Sequence, residues 1–83
     1  MYGKFEMRAK LPRGQGMWPA YWLLGDSIST KGWPACGEID IMEYIGRTPN
    51  TVYGSLHATS YDVTGSVNSG GLSDNFHTYA VNW

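Results

Sequence analysis

The sequence has few charged residues, a single cysteine and no long apolar run. Of its 83 residues 16% are charged, and the formal net charge is −1. A chain so close to neutral has no electrostatic basis for binding nucleic acid or an anionic membrane, so we expect neither as a partner. The lone Cys36 excludes an intrachain disulfide, and Cys and His are too sparse for a zinc site, so no metal or other cofactor is expected. No apolar stretch approaches the roughly 18 residues that a membrane span requires.

The sequence also lacks the apolar spacing of a full-length helix, and strand-like alternation takes its place. In residues 2–11 small and apolar residues occupy every second position, with polar or charged residues and Tyr2 between them. Period two with one apolar face indicates a half-buried strand. Further strands are predicted over 17–25, 37–45, 51–59 and 76–83, with loops over 26–36 and 60–75. The predicted fold class is all-β, with antiparallel pairing.

The outermost predicted strands reach almost to the two ends of the chain. Sandwiches of β-strands commonly run to about 200–250 residues as one domain. We therefore expect residues 1–83 to be part of a larger domain that continues at both ends.

Three acids fall within six residues of a segment that otherwise reads as the inside of a sheet. Residues 37–46 are GEIDIMEYIG, with Glu38, Asp40 and Glu43 among isoleucine and methionine. Glu38 and Asp40 share a strand face, but simple alternation would turn Glu43 into the core, at a cost of several kcal/mol. A β-bulge near Met42 would add one residue to the strand and return Glu43 to the face of the other two acids.

Three carboxylates in one cleft suit glycoside hydrolysis, which needs a carboxylate and a carboxylic acid on either side of the scissile bond. A separation of about 5–5.5 Å between the two groups gives a retaining reaction through a covalent glycosyl-enzyme. Repulsion between neighbouring carboxylates favours keeping one of them protonated. From spacing alone, two other interpretations stay open: a solvated polar strand face and a Ca²⁺ site made of carboxylates.

The same ten residues resemble a known signature. GEIDIMEYIG resembles E-[ILV]-D-[ILVAF]-x(0,1)-E of glycoside hydrolase family 16, in the form with the extra residue that is typical of laminarinase-like endo-β-1,3-glucanases. The preceding YGKFEMRAKLPRGQGMWPAYWLLG and the later FHTYAVNW resemble strands of the same family, in the same order. The resemblance implies a concanavalin-like β-jelly-roll sandwich with a substrate cleft, of which residues 1–83 would be a partial catalytic domain truncated at both ends.

The resemblance also implies roles for individual residues. Glu38 matches the nucleophile, Glu43 the general acid/base, and Asp40 the aspartate between them that bonds to the nucleophile. Five further residues are candidates for binding substrate. Three are the tryptophans Trp18, Trp22 and Trp33, whose rings can stack on sugar faces; the others are Arg8, expected near the cleft, and His57, expected near Glu43. The alternatives are that Trp18 and Trp22 belong to the core and that Arg8 is plain surface. His77 and Cys36 are interpreted as structural and packing residues.

Three functions compete at this point. The first is a secreted, monomeric, retaining endo-β-1,3-glucanase whose partner is the polysaccharide alone. The second is a non-catalytic glycan-binding module on the same sandwich, since a fold does not fix a function. The third keeps the reaction but changes the polymer to mixed-linkage β-glucan or a galactan. The intact acid triplet favours an enzyme, and the extracellular location is an implication of the family.

Overall fold

The computed structural model describes residues 2–83 as two layers of antiparallel strands joined by short loops. The elements are β1 Lys4–Ala9, β2 Ala20–Leu24, α1 Ile28–Lys31, β3 Glu38–Tyr44, β4 Thr51–Ala58, β5 Tyr61–Asn68 and β6 His77–Asn82. One sheet has the order β2-β3-β4-β5, and the other pairs β1 with β6. The all-β prediction is confirmed. In residues 2–83 there is no helix that could cross a membrane.

The core lies between the two sheets. Its five buried side chains are Leu11, Met42, Tyr44, Leu72 and Tyr79, and Met7, Ala9, Tyr21, Ile41 and Val52 pack against them. The first sheet contributes from β2, β3 and β4, and the second from the alternate positions of β1 and β6, as period-two patterning requires. The opposite face of the four-stranded sheet is therefore free to carry polar groups.

The predicted bulge is present in β3. Asp40 pairs with Ser55 and Glu43 with Tyr53, so Ile41 and Met42 together lie opposite the single residue between them, Gly54. The ladder with β2 shifts at the same place. Both bulge residues contact the core, with Met42 only 1% exposed. Glu43 consequently lies on the same face as Glu38 and Asp40.

The prediction of a loop over 60–75 is wrong for residues 61–68, which form β5. Thr59 and Ser60 make a two-residue turn, and all eight residues of β5 pair with β4. The Ser, Gly, Asn and Asp that favoured a loop are abundant over residues 60–75 as a whole, whereas the strand itself also contains Tyr, Val and Thr, and every one of its residues is exposed. Backbone pairing with β4, rather than apolar burial, holds it in place. The predicted loop 26–36 is also interrupted, by the single helical turn α1.

Candidate active site

The three acids of β3 lie on the face turned away from the core. Residues that are ladder partners share a face of the sheet, so the partners of these acids on β4 and β2 lie on that face too. Their partners on β4 are His57 for Glu38, Ser55 for Asp40 and Tyr53 for Glu43. On β2 the same acids face Leu24, Trp22 and Ala20 in that order. This face, with Asp62 and Thr64 of β5 beside it, is called the acidic face below.

Each of the two glutamates accepts a hydrogen bond from a tryptophan indole. Trp33 Nε1 donates to Glu38 Oε1 at 2.9 Å, and Trp18 Nε1 donates to Glu43 Oε2 at 2.7 Å. The two tryptophans come from different loops, one before β3 and one before β2. Both residues remain more than half exposed, at 55% for Trp33 and 69% for Trp18. Each therefore holds a carboxylate with its nitrogen while presenting an apolar surface to solvent.

The loop that carries Trp33 is tied to the sheet at its two ends. The Gly25 N–H donates to the Gly37 carbonyl at 2.8 Å. A Cβ on Gly25 would lie 1.8 Å from the Cys36 carbonyl oxygen, so no larger residue fits there without a shift of the backbone. The loop thereby begins and ends beside Glu38, which brings Trp33 to that carboxylate.

Asp40 is buried and lies between two titratable neighbours. His57 Nε2 is 3.1 Å from its Oδ2. Burial raises the pKa of Asp40 to about 6, and a hydrogen bond and repulsion from Glu38 add to the rise, while the His57 charge and hydrogen bond oppose it. Asp40 therefore takes up a proton in mildly acidic solution.

His57 faces a second carboxylate from β5. Its Nδ1 lies 3.0 Å from Asp62 Oδ1. The direction of approach is not that of a hydrogen bond, so Nδ1 has no hydrogen-bond partner within residues 2–83 and the link to Asp62 is one of charge. Burial acts to lower the pKa of His57, but the charges of Asp62 and Asp40 outweigh it and raise that pKa above its ordinary value. The ring of Trp33 packs against the imidazole, with ring centres 5.6 Å apart.

The structure brings together seven of the eight site residues predicted from the sequence. Trp22 joins the acidic face as the ladder partner of Asp40, and both Trp22 and Trp18 are exposed, so the alternative that these two tryptophans are core residues is wrong. His57 lies near Glu38 and Asp40, whereas the prediction placed it near Glu43. Cys36 is a half-buried free thiol in the loop before Glu38, and His77 bonds to the Gly71 carbonyl at 3.2 Å.

Arg8 is the residue that does not join the others. It lies on β1 in the two-stranded sheet, where Met7 and Ala9 face the core and Arg8 therefore faces solvent. Its guanidinium packs over Phe76, 4.5 Å from the ring centre. The expected position near the cleft is wrong, because the core separates this surface from the acidic face. Alternation showed that Arg8 was on a polar face, but not which sheet that face belonged to.

The calcium alternative is not supported by the donor set. The atoms of residues 2–83 that cluster tightly enough to hold an ion come from Glu38, Asp40 and His57 and lie within 4.8 Å of one another. Ca²⁺ takes six to eight oxygen ligands, whereas this set supplies two carboxylates and a ring nitrogen. Glu43 is outside the set and is held by Trp18 instead.

The sequence predicted no role for Asp62, or for the pair of Ser55 and Thr64, whose hydroxyl oxygens are 2.8 Å apart. A signal for them existed. Residues 61–68 alternate between Tyr, Val or Gly and a polar residue, which is the pattern of a strand.

Comparison with known proteins finds a matching family and several similar proteins. The model of "Glycosyl hydrolases family 16" matches residues 1–83. A glucan endo-1,3-beta-glucosidase from Cryptopygus antarcticus is 42% identical over 90 aligned residues, which cover 100% of this chain and 33% of that protein. A beta-glucanase from Rhodothermus marinus is also 42% identical, with 99% of this chain and 32% of that protein covered.

Solved structures of similar sequence have the same arrangement of strands as this chain. The crystal structure of the laminarinase catalytic domain from Thermotoga maritima MSB8 is similar with a TM-score of 0.93 and 44% identity, covering 99% of this chain and 36% of that one. The strands described here are therefore part of a β-jelly-roll sandwich. The chain spans about a third of the length of the relatives it matches. It belongs to glycosyl hydrolase family 16.

Proposed function

We propose that the protein carrying this chain is a retaining endo-glycoside hydrolase that cleaves β-1,3-glucan. The observation that carries the proposal is the acidic face itself, where the bulge aligns Glu38, Asp40 and Glu43 and each acid has its own donor. A merely solvated strand face would not need an indole on each glutamate. The named activity of the Cryptopygus antarcticus relative supports the choice of polymer.

In the proposed reaction Glu38 attacks the anomeric carbon while Glu43 gives its proton to the departing glycosidic oxygen. This step forms the bond between Glu38 and the sugar and breaks the bond between sugars. Glu43, now a carboxylate, then removes a proton from water, and the hydroxide displaces Glu38 with a second inversion, so configuration is retained. Asp40 supports Glu38 by holding a proton that it can donate to that carboxylate.

The tryptophans have two functions in this scheme. Their N–H groups fix the orientation of Glu38 and Glu43, and their exposed rings supply apolar surface for sugar faces. Both functions restrict the relative positions that the bound polymer and the two acids can adopt. Holding reacting groups in the productive geometry in this way raises the reaction rate.

The test is to incubate the enzyme with laminarin and follow the anomeric protons of new reducing ends by NMR. The β anomer is expected first. Glu38→Ala and Glu43→Ala should each lose several orders of magnitude in rate. Azide should rescue Glu38→Ala by forming an α-glycosyl azide and Glu43→Ala by forming the β product. Glu6→Gln, on the solvent face of the other sheet, is the control and should keep full activity.

Three results would contradict the proposal. The α anomer appearing first would exclude retention, and full activity in either alanine variant would exclude the assigned roles. Binding of laminarin without release of reducing ends by the unmodified protein would favour the glycan-binding alternative. Faster hydrolysis of mixed-linkage glucan, agar or carrageenan than of laminarin would keep the reaction and change the substrate.

A further inference from the structure

The contacts of His57 draw attention to a residue of β5 that the proposed reaction does not use. His57 lies between Asp40 on β3, 3.1 Å from Nε2, and Asp62 on β5, 3.0 Å from Nδ1. Asp62 is the ladder partner of His57 and the second residue of β5, one residue after the two-residue turn of the β4–β5 hairpin. Its position is therefore set by strand register and not by a mobile loop.

Chemistry restricts the imidazole placed between these two carboxylates. A neutral imidazole has one N–H and one lone pair, so either tautomer turns a lone pair toward one of the carboxylates. Only the imidazolium presents positive charge to both carboxylates, through a hydrogen bond to Asp40 and through an ion pair without a hydrogen bond to Asp62. The arrangement thus favours a charged ring and opposes rotation of that ring away from Asp40.

The titratable groups that face His57 come from two strands. Glu38 and Asp40 face it from β3, and Asp62 faces it from β5. The Asp62 side chain is 69% exposed, whereas the ring is 20% exposed and Asp40 9%. Solvent screens Asp62 more than the other groups, so its effect on the ring is moderate. Because Asp62 is negatively charged, its effect is to raise the pKa of His57. It acts from the Nδ1 side of the ring, which the other acids do not reach.

We propose that Asp62 is a positioning residue, whose carboxylate holds the His57 ring from the Nδ1 side so that Nε2 remains directed at Asp40 beside Glu38. The inference rests on the proposed function for its consequence in catalysis. Its structural part stands on the contacts of His57 alone. Asp62 touches none of the reacting atoms and acts through His57.

The first test is an NMR titration of the His57 imidazole in the protein that carries this chain, with the resonance assigned by a His57→Gln variant. In Asp62→Asn the pKa of His57 should fall, because the ring loses the nearest charge that favours its protonated form. Asp62→Glu, which keeps the charge, should restore most of the original pKa. Glu6→Gln removes one negative charge from the opposite surface and should leave the His57 pKa unchanged.

The second test is the pH dependence of kcat/KM on laminarin. Asp62→Asn and the unmodified enzyme should agree at acid pH, where His57 is charged in both, and the variant should fall below as pH rises through its lower His57 pKa. An unchanged His57 pKa in Asp62→Asn, or a uniform loss of kcat/KM at every pH, would overturn the inference. The titration separates this inference from the proposed function, since it gives an answer even if laminarin is not a substrate.

Discussion

Trp18 donates its indole N–H to Glu43 at 2.7 Å, although the two residues are 25 positions apart in the sequence. The bond joins the loop before β2 to the residue that follows the bulge of β3. It makes the orientation of the proposed acid/base dependent on an aromatic residue whose ring is otherwise free for a sugar. The ring and the nitrogen of this tryptophan can therefore be tested separately.

We expect Trp18→Phe to lower kcat/KM on laminarin by about five- to tenfold. Phenylalanine keeps an aromatic face but has no donor, and a hydrogen bond to a charged group at a partly exposed site contributes about 1 kcal/mol to the transition state. Trp33→Phe should have a similar effect through Glu38. Trp22→Phe is the matched comparison, because Trp22 lies on the same face without donating to any of the three acids. A loss for Trp22→Phe as large as for the other two would contradict the proposed role of the indole nitrogens.

The bulge makes opposite predictions for an insertion and a deletion at the same site. An alanine inserted after Met42 should abolish activity. If the bulge is kept, Glu43 turns toward the core, where a buried carboxylate costs several kcal/mol. If the bulge is lost, Glu43 faces the cleft but lies two residues, roughly 6–7 Å, too far along the strand from Asp40. Deletion of Met42 removes the extra residue, so regular alternation still places an acid at every second position. That variant should keep measurable activity while losing about 2–5 kcal/mol of stability with the buried side chain.

Initial rates of laminarin hydrolysis measure the effect on activity, and the midpoints of urea unfolding measure the effect on stability. Met42→Leu, which conserves volume, is the control and should cost less than about 1.5 kcal/mol. An active insertion variant would show that Glu43 does not depend on the register of the bulge.

Stability should depend on pH through Asp40. Because the pKa of Asp40 is raised to about 6 in the folded protein from an unfolded value of 3.8, the folded state holds this proton more tightly. The contribution is present in full below the unfolded pKa of 3.8 and is lost as pH rises through about 6, with an upper limit of about 3 kcal/mol. Asp40→Asn should remove this dependence and gain stability relative to the unmodified protein as pH rises.

His57 acts in the same direction over a higher range. Its folded pKa is raised above 6.5, so its contribution is present below that pH and is lost as pH rises through the folded pKa. Urea midpoints of the unmodified protein, Asp40→Asn and His57→Gln from pH 4 to pH 8 at constant ionic strength measure both terms. A constant difference between the unmodified protein and Asp40→Asn across pH 4–6 would contradict the assigned shift.

Gly25 should not tolerate alanine, whereas Gly65 should. A Cβ on Gly25 would lie 1.8 Å from the Cys36 carbonyl oxygen, while one on Gly65 in β5 has no atom within 4 Å. We expect Gly25→Ala to cost about 1–3 kcal/mol or more and to lower kcat/KM, because the shifted loop carries Trp33. Gly65→Ala should change the melting temperature little. Equal melting temperatures for the two variants would mean that the loop adjusts without strain.

The sequence alone determined the strands that have one apolar face and the presence of the bulge. Both follow from period-two patterning and from the cost of burying Glu43, which are properties of a few neighbouring residues. The match to the family signature likewise depends on ten consecutive residues.

The tertiary structure decided everything that depends on which strands pair and which sheet they join. The strand β5 is held by backbone pairing with β4 and buries no apolar face, so its weak alternation alone did not decide between a strand and a loop, and Asp62 was left without a place. Arg8 lies on the solvent face of the second sheet, a location that alternation along β1 does not specify. The indole bonds of Trp18 and Trp33 join loops to β3 across the fold. Such contacts arise from long-range packing, whose partners are not encoded in the spacing of any single segment.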